Sequence, residues 1–342
     1  MKIELVRKSV TDTERKPYNR LLREIIECSI KNRGFPSYYF HSFLYRQDVE
    51  DCHQYITDRE IRKLLPLMVN EEMSPFFHNK LLFHQYFSNC EITLPRLLGY
   101  NVGRYFASVE NRDLLKRYRL DEVVRSLPAL TDSGYVFIKP ICGGKGKFCY
   151  KITVNTPKEE MDEILARLRF ANYLFEEGLV QHPAVNEAYP HSVNSLRIKT
   201  CILKDGSIHL IAAKYRFGKG RMVVDNASSG GIAVHVNLED GAFDPHARLA
   251  YQDGGSLIRH HPDTGFAFAG FRVPDFQAIK DMTLRAAAHL PYKLAGWDIA
   301  LTRNGPVLIE GNNRPHISGT EITYGGYKKN PVFRTLMDEL DI

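Results

Sequence analysis

The sequence predicts an α+β protein in which a helical N-terminal region, residues 1–78, precedes a longer stretch of hairpin-connected strands and capped helices. Three observations point to this. Residues 1–78 carry apolar side chains at helical spacing, with a capping-box pair at Thr57 and Glu60. Further on, Asp205-Gly206 and Asn304-Gly305 each separate two strand-like runs, and such pairs are the strongest short-range hairpin signal. Ahead of these hairpins and after the helical region, helical spacing returns behind Thr156 and Pro157, so helices and antiparallel strands share one stretch of chain.

In chain order, a first helix is expected from about Glu14 to Lys31, with Tyr18, Leu22, Ile25 and Ile26 on its apolar face and a stop at Gly34 and Pro36. A second starts behind Thr57 and carries Ile61, Leu64, Leu65 and Met68; Pro66 should kink or shorten it. Residues 1–78 show no catalytic constellation. Asn79 then caps a helix bearing Leu82, Phe83, Tyr86 and Phe87, followed by extended Thr93-Leu94-Pro95 and a strand into Leu98. Lys80 falls in that helix's first turn, where free N–H groups and the positive dipole end favour an anion. A lysine there opposes the helix dipole and hints at a phosphate; the plain alternative is a surface lysine.

A short strand, Tyr135 to Pro140, ends on Lys139 and is followed by Gly143-Gly144-Lys145-Gly146-Lys147 and a second strand, Phe148 to Val154. A glycine-rich turn between strands lets backbone N–H groups approach phosphates, although a flexible turn has the same composition. The loop lacks the G-x-x-x-x-G-K-[ST] pattern and no helix follows it directly. Thr156 as N-cap, Pro157 at the first helical position and Glu159 open a helix with Met161, Ile164, Leu165 and Leu168 in period. Gly178 to Gln181 then reads as a strand passing into His182-Pro183-Ala184-Val185. An adenine would meet backbone groups at such a passage, with Gln181 near its amino group and Glu187 near the ribose; otherwise both are polar loop residues.

Strands Ser195 to Leu203 and Ser207 to Tyr215 follow, joined at Lys204-Asp205-Gly206. By alternation Arg197 and Lys199 share a face, as do Lys214 and Arg216, giving either a cationic wall or a solvated sheet face. Residues 225–231, DNASSGG, have the small-residue composition of an anion-binding nest or a turn. His260 and His261 are adjacent and belong to a loop rather than a metal site. A helix from Asp275 to His289 should pack behind the last hairpin, Gly296 to Asn313. In that hairpin Trp297, Ile299, Leu301, Val307 and Ile309 alternate into the core. Asp298, Ala300, Thr302, Leu308, Glu310 and Asn312 take the other face, and a three-residue turn, Arg303-Asn304-Gly305, places position 298 across from 310. Asp298, Glu310 and Asn312 offer hard oxygen donors and no His or Cys, which suits Mg²⁺. The alternative is a pair of solvated acids on an exposed face.

The chain has 342 residues, net charge +6 and 25% charged residues, ordinary values for a globular protein with a sizeable core. No apolar run reaches the roughly 18 residues of a membrane span. The N-terminus lacks an apolar signal-peptide core, so the cytosol is expected. Six scattered cysteines without C-x-x-C spacing argue against a zinc site or a disulfide framework. The basic excess forms no block, which favours small anionic substrates over nucleic acid. Oligomeric state is not legible.

Read together, Lys80, the FIKP-ICGGKGK hairpin, the LVQHP segment and Asp298 with Glu310-x-Asn312 resemble the ATP-grasp superfamily over roughly residues 79–315. N-S-L-R-I-K-T (194–200), V-D-N-A-S-S-G-G-I (224–232), H-P-D-T-G (261–265) and G-W-D-I-A-L (296–301) resemble its sugar-transfer-associated family, whose members are often linked with surface-polysaccharide biosynthesis. The resemblance implies two α+β subdomains gripping ATP. Residues 79–130 would be a linker and first segment, 131–186 a lid subdomain, and 187–342 the C-terminal subdomain with the metal site. It further implies that Lys80 and Lys139 touch the α and β phosphates, that Gly143, Gly144, Lys145, Gly146 and Lys147 close over the β and γ phosphates, and that Gln181 and Ala184 line the adenine. Glu187 would hold the ribose, and Asp298, Glu310 and Asn312 would carry Mg²⁺. Some peptide-forming relatives have an arginine two positions before the first metal aspartate; here that position is Gly296. Arg197 or Arg216, with Lys214 on the same wall, is therefore the candidate for charge stabilisation. The implied activity is an ATP-dependent carboxylate–amine ligase working through an acyl phosphate. A kinase acting on a small-molecule hydroxyl and a non-catalytic nucleotide-binding scaffold are the other readings.

Overall fold

The computed structural model describes residues 2–109, 117–144, 146–225, 230–314 and 317–342. The chain opens with four helices, α1 (Lys2–Thr11), α2 (Tyr18–Asn32), α3 (Ser37–His41) and α4 (Asp58–Met68). The capping box of α4 forms as expected, with Thr57 Oγ1 accepting from Glu60 N–H and the Glu60 carboxylate from Thr57 N–H. α2 differs from its expected orientation. It buries Leu21, Glu24, Cys28 and Asn32 and exposes Tyr18, Leu22 and Ile26. A buried charge sets this rotation: Lys16 Nζ donates to Glu24 at 2.7 Å and to the Leu44 carbonyl, while Tyr39 Oη donates to Glu24 at 2.9 Å. Apolar periodicity carries no signal for such an ion pair, which must be satisfied once one partner is buried.

Next come α5 (Ser74–His78), α6 (Lys80–Phe87), β1 (Leu97–Val102), β2 (Tyr105–Ser108), β3 (Arg117–Arg119), α7 (Leu120–Val123), β4 (Tyr135–Pro140), β5 (Tyr150–Thr153), α8 (Lys158–Leu168) and β6 (Tyr173–Glu177). The six strands form one antiparallel sheet in the order β3-β2-β1-β6-β4-β5. α8 lays Met161, Ile164, Leu165 and Leu168 in one core with Val136, Ile138, Ile152 and Phe175. Because β1 pairs directly with β6, strands from residues 79–130 and 131–186 belong to one sheet. α8 begins at Lys158 without a side-chain cap, since the Thr156 hydroxyl accepts instead from Thr153 N–H at 2.8 Å. The returning strand is β6 rather than Gly178–Gln181. It ends at Glu177, and a Cβ on the following Gly178 would stand 2.1 Å from the Tyr135 ring, so the chain passes tightly against that ring as it leaves the sheet.

The remainder comprises α9 (Pro183–Ala188), β7 (Ser195–Ile202), β8 (Ile208–Phe217), β9 (Ile232–Val236), β10 (Phe243–Arg248), β11 (Leu257–Ile258), α10 (Phe276–His289), β12 (Leu294–Thr302), β13 (Gly305–Asn312), α11 (Ile317–Tyr324) and α12 (Pro331–Glu339). Its seven strands are antiparallel in the order β11-β10-β9-β8-β7-β12-β13. α10 covers one face, with Ile279, Met282 and Ala286 in the core of Trp297 and Ile299. α4 and α12 cover one end of the other face through Leu64, Phe333 and Leu336 beside Cys201 and Leu294.

The last hairpin corrects the expected alternation in one place. Thr302 pairs with Gly305, so the turn has two residues, Arg303 and Asn304. A bulge then lets Ile299 face Leu308 while Asp298 faces Glu310, leaving Ile309 unpaired. The extra residue restores the 298–310 pairing that the shorter turn would have lost. It also moves Leu308 into the core and Ile309 to the cleft, the reverse of strict alternation.

Candidate active site

A cleft of about 1640 Å³ lies between the two sheets and is closed on a third side by the N-terminal helices. Its size exceeds the roughly 300–1,000 Å³ usual for one small ligand, so there is room for a nucleotide and a second substrate. Lys80, Lys139, Gln181, Arg197, Lys214, Arg216, Asp298, Glu310 and Asn312 all border it.

At one end, Asn79 caps α6 by accepting from Leu81 and Leu82 N–H, and Lys80 N–H donates to the Ile141 carbonyl. These bonds fix the helix start beside the glycine loop. Lys80 Nζ donates to the Gly143 carbonyl at 2.6 Å and stands 3.9 Å from Glu310 Oε1. Lys139, at the end of β4, pairs with Glu176 of β6 at 2.8 Å, both buried. Gly143 has φ +109°, Gly146 has φ +65°, and a Cβ on Gly143 or Gly144 would meet nothing within 4 Å, so the loop backbone lies open to the cavity. Lys145 lies outside the described residues, as do 226–229 of the small-residue segment.

Two residues expected at the adenine are otherwise engaged. The Gln181 amide nitrogen donates to Ser192 O at 2.7 Å, and its oxygen accepts from Asn194 N at 2.7 Å and Asn194 Nδ2 at 3.0 Å. The side chain therefore stitches the segment before β7 together, and only its backbone is left for a base. Ala184 does not border the cleft; its N–H donates to the capping His182 Nδ1 at 3.2 Å. Leu179, Val180 and Pro183 form the wall there, and Glu187 borders it from an exposed position on α9.

The cationic wall is buried rather than solvated. Arg197 pairs across the sheet with Lys214 and with Asp298, and Arg216 pairs with Ser195, so all five side chains share one face. Arg197 grips Asp298 with Nε–Oδ1 at 2.6 Å and Nη2–Oδ2 at 2.5 Å, and Arg216 Nη2 adds a third bond at 3.1 Å. Asp225 stands 3.3 Å from Arg216 and accepts from Ser195 N–H at 2.8 Å. Burial would raise the Asp298 carboxyl, but Arg197 and Arg216 overcome it and hold the group at about 2. Burial, reinforced by Arg197 and Arg216, pushes Lys214 down to about 7, with its Nζ donating to Gly319 O at 2.5 Å. Lys199, wholly buried over the Tyr327 ring at 5.1 Å, is driven well below the ordinary lysine value by burial and by Lys214. Burial raises the neighbouring Glu321 to about 7.

The oxygen-bearing trio offers hard donors only. Asp298 accepts three hydrogen bonds of the roughly four that a carboxylate can take, leaving one lone pair on Oδ1. Glu310 is partly exposed to the cleft, and Asn312 has a buried Nδ2 with no hydrogen-bond partner. This donor set fits a magnesium ion. Sequence reasoning missed Glu176 and Ser195, and also Tyr38 and Ser42 of α3 and its C-cap, which border the cleft; Asp225 entered only as the first residue of the 225–231 segment. Glu176 alone left a trace, as an acid inside the apolar run YLFEE; the others depend on long-range packing.

No curated protein matches the chain. Among solved structures it is similar to D-alanyl-alanine synthetase A from Vibrio cholerae O1 biovar eltor str. N16961, with 15% identity, 79% of this chain and 67% of that one covered, and a TM-score of 0.48. It is also similar to the VanG D-Ala:D-Ser ligase from Enterococcus faecalis, with 12% identity, 79% and 62% coverage, and a TM-score of 0.46. A third is the ATP-grasp ligase PsnB in complex with a phosphomimetic precursor variant, Mg and ADP, with 16% identity, 79% and 60% coverage, and a TM-score of 0.42. The chain thus spans between 60% and 67% of the length of these structures. The model of the sugar-transfer associated ATP-grasp family matches residues 60–330.

Proposed function

Since the chain belongs to the sugar-transfer associated ATP-grasp family, with its α+β fold and N-terminal helices ahead of the matched segment, we propose that it is an ATP-dependent carboxylate–amine ligase. Its substrate would be an anionic sugar derivative, a uronic acid or an amino acid, used in building a surface polysaccharide. The observation that carries this reading is the buried wall of Arg197, Lys214 and Arg216 beside Glu310 in a cleft large enough for two ligands. A buried cationic wall suits a carboxylate acceptor better than a neutral hydroxyl.

In this reading a carboxylate oxygen attacks the γ-phosphorus of ATP, the bond to the β-phosphate oxygen breaks, and an acyl phosphate and ADP form. An amine then attacks the acyl carbon and phosphate leaves. Lys80 and Lys139 hold the triphosphate and the open backbone at Gly143, Gly144 and Gly146 covers it, because phosphoryl transfer depends on positioning and charge neutralisation. Mg²⁺, when bound by Asp298, Glu310 and Asn312, supplies neutralisation of the phosphate oxygens. Arg197 and Arg216 face the developing oxyanion, where one preorganised donor is typically worth about 3 kcal/mol. Lys214, near neutrality, is suited to accept the proton that the amine loses.

The test is ADP and phosphate release from a panel of uronic acids, nucleotide sugars and amino acids, with and without amines. Amide plus free phosphate supports the ligase; a phosphorylated alcohol would replace it with a kinase. ATP binding with no hydrolysis for any acceptor would leave a non-catalytic scaffold. Full turnover by the Glu310→Ala protein would refute the metal assignment.

A further inference from the structure

The N-terminal helices bring Cys28 together with the adjacent pair Cys52 and His53. Cys28 of α2 lies 3.7 Å, sulfur to sulfur, from Cys52, and a ring nitrogen of His53 lies within 4.8 Å of both. Among the described residues, no other three His, Cys, Asp or Glu side chains converge this way. Both cysteines are buried, and His53 is partly exposed.

A buried thiol pair is ordinarily explained by one S–H donating to the other sulfur. That account leaves His53 unexplained. Its Nε2 is 3.0 Å from Glu27 Oε2, a contact that places the ring proton on Nε2 and leaves Nδ1 with a bare lone pair. Nδ1 is nevertheless buried and has no hydrogen-bond partner. A carboxylate that orients an imidazole so that its other nitrogen points inward is the usual support for a metal-binding histidine. The sulfur spacing agrees, since two thiolates at about 2.3 Å from one zinc stand about 3.8 Å apart in tetrahedral geometry.

We propose that Cys28, Cys52 and His53 form a zinc site, with Glu27 orienting His53 and the fourth position open to water. Each thiol gives up its proton to solvent as it binds. The site lies outside residues 60–330 and is independent of the ligase reading. The metal would tie α2 to the segment leading to Ile56, whose N–H donates to Glu321 of α11 at 2.8 Å, and so brace the helical region against the cleft wall.

The experiment uses the full chain, purified under reductant and stripped by a chelator, then titrated with Zn²⁺ against a chromogenic competitor and with Co²⁺ in the spectrophotometer. Expected are one zinc per chain, a thiolate-to-cobalt charge-transfer band, and a rise in melting temperature on adding Zn²⁺. Cys52→Ser should abolish the band, whereas Cys201→Ser should keep it. Because Cys52 is buried and its variant can fail to fold, His53→Gln provides the second arm: it should bind zinc at least about tenfold more weakly with an unchanged circular dichroism spectrum, and Glu27→Gln about tenfold more weakly. Zinc affinity unaltered by His53→Gln, or a cobalt complex lacking the charge-transfer band, overturns the proposal. So does a Cys28–Cys52 disulfide formed in preference to the zinc complex when reductant is withheld.

Discussion

Replacing Asp298 with asparagine keeps the shape of the side chain and removes its charge from the centre of the cationic wall. In the native protein both carboxylate oxygens are occupied by Arg197, one is shared with Arg216, and the residue is 3% exposed. Moving that carboxyl from its ordinary 3.8 to about 2 corresponds to about 2 kcal/mol of stability at neutral pH. Asparagine would also turn an amide N–H₂ toward a guanidinium, donor against donor. Breaking one partner out of a buried ion pair typically costs about 3–5 kcal/mol. Asp225, 3.3 Å from Arg216, still compensates part of the remaining charge, so the expected loss is about 3 kcal/mol. The assay is urea unfolding followed by circular dichroism, for native and variant protein, from pH 7 downward. The folded value lies below the ordinary one, so the contribution is present in full above about pH 4 and disappears as pH falls through 2. The gap between the two proteins should therefore narrow over that window. A loss below about 0.5 kcal/mol at pH 7, or a gap that stays constant to pH 2, would refute the buried, compensated cluster described here.

Lys139→Met leaves Glu176 buried without its partner and should cost about 3 kcal/mol; adding Glu176→Leu should recover most of that stability but not the binding of a non-hydrolysable ATP analogue, expected at least tenfold weaker by calorimetry. Gln181→Ala strands Asn194 N–H and the Ser192 carbonyl and should lower stability by about 2 kcal/mol, with nucleotide affinity changed less than threefold if only the backbone meets the base. For Lys214, held at about 7 against the ordinary 10.5, the unfolded chain binds the extra proton between those values, so stability rises with pH across the window. Relative to Lys214→Met, the native protein should gain up to about 1.4 kcal/mol per pH unit between pH 7 and 9; parallel curves would show an ordinary, solvated lysine.

The hairpins and the glycine loop were legible because they are local. Asn304-Gly305 and Asp205-Gly206 announce their turns within a few residues, and the Thr57–Glu60 capping box forms as read. The cationic wall was half legible. Alternation put Arg197 with Lys199 and Lys214 with Arg216, but only the pairing of β7 with β8 and β12 decides that both pairs share a buried face with Asp298. Three features were not legible for a common reason. The rotation of α2 is set by Lys16 and Glu24, the engagement of Gln181 by Asn194, and the Cys28–Cys52–His53 cluster by helix packing, and each is a polar contact made by packing that leaves no periodic trace. The bulge at Ile309 was invisible for a different reason, since it depends on a turn one residue shorter than assumed.

The charge balance of the wall explains why so many ionised groups tolerate burial on one sheet face. Arg197, Lys199, Lys214 and Arg216 meet Asp225, Asp298 and Glu321, four basic groups against three acids. Arg197 and Arg216 cannot lose their protons and are neutralised by the two aspartates, Arg197 through Asp298 and Arg216 through Asp298 and Asp225. The remaining mismatch falls on the two lysines, which burial and their cationic neighbours push toward the neutral amine. The wall thus relieves its excess charge by releasing protons rather than by recruiting another acid. On the proposed ligase reading an arriving carboxylate would reverse that relief: it would supply the missing counter-charge beside Lys214, so the lysine would regain its proton as the acid binds. On that reading Lys214 would be protonated while the carboxylate sits in place and, once the acyl phosphate had formed, would return its proton to solvent and so be free to take one from the amine.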